Sequence, residues 1–129
     1  MKQKNYYQEF LMSEVNKNIE KGEWLSVCQE SDLIQNVGVG ALFGERQVAL
    51  FKINNGDIYA IDNYDPFSDA NVLSRGICGD IKGQAVVASP IYKQHFDLST
   101  GQCMEDETVK ISVYQVRVID GDLQIAMCS

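Results

Sequence analysis

Asp65-Pro66-Phe67 and Ser89-Pro90-Ile91-Tyr92 hold the only two prolines of this 129-residue chain, and their surroundings decide the fold. Proline presets φ and suits tight reversals, so each segment reads as a turn. Working outward, Tyr59-Ala60-Ile61-Asp62-Asn63 leads into the first turn and Leu73-Ser74-Arg75-Gly76 follows it. Gln84-Ala85-Val86-Val87-Ala88 is a short strand entering the second turn, and Phe96-Asp97-Leu98-Ser99-Thr100-Gly101 leaves it.

Beyond this frame the signals remain those of β structure. Gln47-Val48-Ala49-Leu50-Phe51-Lys52-Ile53 reads as a strand, with Asn54-Asn55-Gly56 supplying the positive φ angles of a tight hairpin. Asp57-Ile58-Tyr59-Ala60-Ile61 is its return strand. Near the end Tyr114, Val116 and Val118 alternate with Gln115 and Arg117, Asp120-Gly121 turns the chain, and Leu123 and Ile125 resume the inward face opposite Gln124 and Ala126. Short antiparallel strands and no convincing long helix predict a small all-β sandwich or barrel over residues 21–129. Residues 1–20 read as an extension, partly helical or disordered: Glu9, Phe10, Leu11, Glu14 and Val15 suffice for one or two amphipathic turns, too few to stand alone.

Composition narrows the function classes. The length suits one domain with a real core, and shares of 45% hydrophobic and 22% charged residues are ordinary for a globular protein. A net charge of −7 argues against nucleic acid, whose phosphates call for a basic face. No apolar run approaches the roughly 18 residues of a membrane span. The start, Met1-Lys2-Gln3-Lys4-Asn5-Tyr6-Tyr7, lacks the apolar stretch of a secretory signal, so a cytoplasmic setting is expected.

The proline frame resembles the cluster-binding frame of a Rieske iron–sulfur domain, Cys-x-His followed by Cys-x-x-His, with all four ligands replaced. The resemblance covers roughly residues 24–127 and is strongest over 58–101. A Rieske [2Fe–2S] centre takes two thiolates on one iron and two imidazoles on the other. The four corresponding positions here are Asp65, Phe67, Ser89 and Tyr92. Carboxylate, phenyl and hydroxyl groups do not substitute for those donors, and Phe67 has no donor atom at all. The resemblance thus implies the scaffold without cluster, cofactor or metal in this chain.

Four blocks give a narrower likeness: Asp65-Pro66-Phe67-Ser68, Val72-Leu73-Ser74-Arg75-Gly76, Val87-Ala88-Ser89-Pro90-Ile91-Tyr92-Lys93-Gln94 and Cys103-Met104-Glu105-Asp106-Glu107. In this order they resemble the small subunits of assimilatory NAD(P)H-dependent nitrite reductases, a cluster-less branch of the Rieske fold. That family implies a large-subunit partner carrying FAD, a [4Fe–4S] cluster and sirohaem, which reduces nitrite to ammonium in nitrate and nitrite assimilation. It assigns the small subunit no catalytic residue. In cluster-bearing relatives the loop tip faces the redox partner, so Pro66, Phe67, Pro90, Ile91 and Tyr92 are expected to form an exposed partner-binding patch. The alternative is a stand-alone Rieske-like electron-transfer or binding module.

The remaining candidates carry less. Cys28, Cys78, Cys103 and Cys128 form no Cys-x-x-Cys pair, and Cys28 reads as a small buried hydrophobe. His95, the only histidine, sits between Gln94 and Phe96, where alternation points it outward. Glu105-Asp106-Glu107 reads as a solvated face. Gly38-Val39-Gly40 with Gly44 misses the dinucleotide-binding spacing by one residue and reads as a turn.

Overall fold

Val48, Ala49, Leu50 and Phe51 are consecutive and all fully buried. Successive side chains of a strand point to opposite faces, so such a run requires apolar material on both sides. The computed structural model, which describes residues 22–54 and 56–128, supplies it. Val48 and Leu50 enter one core with Val27, Phe43, Ala60, Tyr114, Leu123 and Ile125. Ala49 and Phe51 enter a second with Ile61, Leu73, Val87, Phe96 and Leu98. The extension expected over residues 1–20 lies outside the described residues.

Eleven strands build these two cores: β1 (Leu25–Gln29), β2 (Val39–Phe43), β3 (Arg46–Lys52), β4 (Ile58–Asp62), β5 (Tyr64–Asp65), β6 (Ala70–Asn71), β7 (Ile77–Ile81), β8 (Gln84–Ala88), β9 (His95–Asp97), β10 (Val113–Ile119) and β11 (Asp122–Met127). Six of them form one antiparallel sheet in the order β1-β11-β10-β4-β3-β2. Its edge strands β1 and β2 meet, so the sheet is nearly closed into a barrel around the first core. The second core lies between this sheet and a three-stranded sheet, β7-β8-β9. The short β5-β6 hairpin carries the first proline turn, and β8 and β9 flank the second.

The all-β expectation is met, and the β3-β4 and β10-β11 hairpins fall where their turn residues place them. Asp120 and Gly121 take φ values of 52° and 82°, the left-handed pair that closes a two-residue hairpin. Three local readings need correction. Gly38-Val39-Gly40 leads directly into β2, with Val39 and Gly40 already paired to β3. Gly38 is required there by a close approach, since a Cβ would come within 2.2 Å of the Ser74 carbonyl oxygen. Ala126, expected on the outward face, is buried. Strand β7 was not visible in the pattern because Cys78-Gly79-Asp80 breaks the alternation of an otherwise exposed edge.

Candidate functional site

The two proline segments fold as copies of one turn. In each, the side chain preceding proline accepts the backbone N–H two residues on: Phe67 N–H donates to Asp65 Oδ1 at 2.9 Å, and Ile91 N–H donates to Ser89 Oγ at 3.3 Å. Each is closed by a bond from the fifth residue to the first carbonyl, Asp69 N–H to Asp65 O at 2.8 Å and Lys93 N–H to Ser89 O at 3.1 Å. Each closing residue is left-handed, Asp69 at φ 56° and Lys93 at φ 70°. A short side-chain acceptor before proline is a recognised turn device. The device is legible at Asp65 and Ser89, each a short acceptor placed directly before proline.

The turns are joined at their first residues. Ser89 Oγ donates to Asp65 Oδ2 at 2.5 Å, and the same oxygen accepts Ser68 Oγ at 2.9 Å. Asp65 and Ser89 are 0% and 1% exposed, so this contact is shut away from water. A buried carboxylate costs heavily unless its lone pairs are used. Here three donors meet it: the Phe67 N–H and two hydroxyls. Asn63 adds a further tie, accepting Ser74 N–H at 2.7 Å through Oδ1. The loop after β4 is thereby pinned to the 3-10 turn Leu73–Arg75.

The expected patch divides into an inner and an outer part. Ile91 and Tyr92 are 47% and 59% exposed, and Pro66 is exposed as well. Pro90 and Phe67 are half-buried. Phe67 does not stand out from the tip: it packs on the second core, its ring 6.1 Å from that of Phe96. It lies in the turn as expected, but its ring packs inward against Phe96 instead of standing out from the tip.

Behind the second turn, Glu105 clamps β9. Its Oε1 accepts His95 N–H at 2.8 Å and its Oε2 lies 2.6 Å from His95 Nδ1. Desolvation would raise the Glu105 carboxyl, but the His95 N–H and ring hold it below its ordinary 4.5. Glu105 therefore structures the loop instead of belonging to a purely solvated run, and Asp106 likewise accepts Thr108 Oγ1 at 2.6 Å. Three of the four thiols are not activated. Burial raises Cys78 and Cys103, and burial with nearby Asp32 and Asp122 pushes Cys28 up to about 12.

A family model for the Rieske-like [2Fe-2S] domain matches residues 23–126. The small subunit of NADH nitrite reductase from Escherichia coli K12 is 44% identical over 104 residues, covering 80% of this chain and 96% of that one. This chain belongs to the nitrite reductase small-subunit family of Rieske-like domains. The solved structure of the E. coli protein NirD superposes with a TM-score of 0.76 at 42% identity, covering 83% of this chain and 98% of that one. The large subunit of a Klebsiella oxytoca NAD(P)H nitrite reductase also matches, 39% identical over 102 residues, which are 79% of this chain and 11% of that protein. A domain of this small-subunit family therefore also occurs as a segment of one longer polypeptide.

The fold family implies a [2Fe–2S] cluster, and the residues at the ligand positions do not fit one. Asp65 and Ser89 spend their oxygens on each other and on their own turns, Phe67 offers carbon only, and Tyr92 points a phenol into solvent. Among the described residues no group of three or more His, Cys, Asp or Glu side chains could hold a metal ion. No helix of the described residues is long and apolar enough to cross a membrane.

Proposed function

We propose that this chain is the small, non-catalytic subunit of an NAD(P)H-dependent nitrite reductase, and that its twin-turn tip docks on the large subunit, where nitrite is reduced to ammonium. The observation that carries this reading is the buried Asp65–Ser89 hydrogen bond. It stands where a redox member of the fold needs its two thiolates, and it joins the loops without being able to carry an electron. A tip held this way presents Pro66, Ile91 and Tyr92 at low entropic cost, as a docking surface should. The Klebsiella match supports the choice of partner, because there such a domain is covalently part of the large subunit. In the present case association would do what the peptide bond does there. A cytoplasmic complex, with FAD, [4Fe–4S] and sirohaem in the partner, belongs to the same reading.

Co-purification with the large subunit tests it. Ile91→Asp and Tyr92→Asp place charge at exposed positions without touching either core, so both variants should fold. Each is expected to lose complex formation by at least an order of magnitude, since apolar anchors of this kind are typically worth about 2 kcal/mol or more. Folded variants that still assemble as the wild type would refute the docking assignment.

A further inference from the structure

Lys93 occupies a backbone conformation that lysine does not favour. Its φ of 70° lies in the left-handed region, where the Cβ of an ordinary residue crowds its own carbonyl and glycine, asparagine or aspartate is the usual choice. The first turn provides an internal comparison, for its equivalent position is Asp69, at φ 56°. There the residue type tolerates the conformation, and the carboxylate is used at once, accepting the Tyr64 hydroxyl and holding that phenol above its ordinary value. Nothing similar offsets the strain at Lys93. Its ammonium reaches only the Pro90 carbonyl, at 3.2 Å in an exposed contact where water competes. It meets no carboxylate among the described residues.

Position adds the second argument. Lys93 is exposed, follows Ile91 and Tyr92 directly, and is the one basic residue in either turn. Among residues 22–128 the chain has 7 basic and 15 acidic side chains, so a cation at a tip that exposes Ile91 and Tyr92 stands against the prevailing sign. We infer that Lys93 is the electrostatic anchor of the tip and that the large subunit presents a carboxylate to it beside an apolar socket for Ile91 and Tyr92. This rests on the docking reading above and names the chemistry of the partner surface. The strain at Lys93 is unrelieved in the free chain and is offset on assembly, when the ammonium exchanges water and the Pro90 carbonyl for a desolvated carboxylate.

Lys82 supplies the control. It is also left-handed, φ 52°, and also a lysine, but it lies in the β7-β8 turn at the far end of the small sheet from Ala88 and Ser89. Lys93→Gly and Lys82→Gly each remove one charge and one strained side chain. Both are expected to raise the urea midpoint of the isolated chain. Lys93→Gly alone is expected to weaken binding to the intact large subunit about tenfold at low salt, with the deficit shrinking as salt screens the pair. Lys93→Arg, which keeps the charge, should retain most of the affinity. The inference is overturned if Lys93→Gly binds as the wild type while Ile91→Asp does not, if both glycine variants weaken binding equally, or if Lys93→Gly lowers the midpoint. If Ile91→Asp also binds as the wild type, it is the docking reading that fails.

Discussion

Removing the contact between Asp65 and Ser89 measures what holds the twin turns together. Ser89→Ala deletes the hydrogen bond to the Asp65 carboxylate and the longer 3.3 Å bond that Ser89 Oγ accepts from Ile91 N–H, and Asp65 and Ser89 are essentially inaccessible to water. A hydrogen bond to a charged group contributes about 1.5–3 kcal/mol, so the variant should lose at least about that much. Asp65→Ala removes three bonds at once and leaves Ser89 Oγ and the Phe67 N–H short of an acceptor, for which about 3–5 kcal/mol is expected. The Ser89–Asp65 bond is counted in both losses. The double variant should therefore cost less than the sum, by about 1.5–3 kcal/mol, the value of the shared contact. Urea unfolding reports the cycle, followed by the fluorescence of the sole tryptophan, Trp24, which lies beneath the Arg117 guanidinium at 4.2 Å. Losses that simply add, within about 0.5 kcal/mol, would show that the two turns stand independently. The account of the loops as a non-redox crosslink would then be wrong.

Other regions make equally sharp predictions. Gly38→Ala should destabilise the fold by about 3 kcal/mol or more, because the new methyl meets the Ser74 carbonyl oxygen at 2.2 Å and the buried Phe51 ring at 2.8 Å, and the backbone group cannot swing aside; a urea midpoint near the wild-type value would contradict this. Burial, with the hydrogen bond to Asp62 and against the pull of Arg46, pushes the Tyr114 phenol up to about 12 from an ordinary 10.0. Its contribution is therefore complete below pH 10 and is lost as pH rises to 12, about 3 kcal/mol at about 1.4 kcal/mol per pH unit; Tyr114→Phe should flatten that alkaline slope in a pH series of denaturation curves. Cys128 is exposed whereas Cys28 is buried and held up to about 12. A thiol reagent should therefore modify Cys128 in the native protein and Cys28 only on unfolding, and rapid native labelling of Cys28 would disprove its burial.

What could be read in advance follows from how local the cause is. Period-2 alternation in Tyr114–Val118 and the Asp120-Gly121 turn specify the β10-β11 hairpin, because neighbouring residues alone decide side-chain direction and turn sign. The β3-β4 pair is legible from a different signal, the continuous apolar run Val48-Ala49-Leu50-Phe51 followed by Asn54-Asn55-Gly56. Strand β7 escaped notice since its edge position relaxes the demand for apolar residues, and Gly38 was read as turn punctuation since its constraint comes from Ser74, distant in sequence.

For the tip, the chain itself determined that no Rieske cluster fits: replacing two thiolates and two imidazoles by Asp65, Ser89, Phe67 and Tyr92 is a matter of donor chemistry, independent of coordinates. It also determined the two turns, through proline and the acceptor before it. Only the tertiary structure decided that Asp65 and Ser89 bond to each other across a separation of 24 residues, that Phe67 turns inward to Phe96, and that Lys93 is left strained and outward. Those outcomes depend on where the small sheet sets the second turn against the first, and such packing is settled by the burial of Phe51, Ile61, Val87 and Phe96 between two sheets, a condition no stretch of neighbouring residues records.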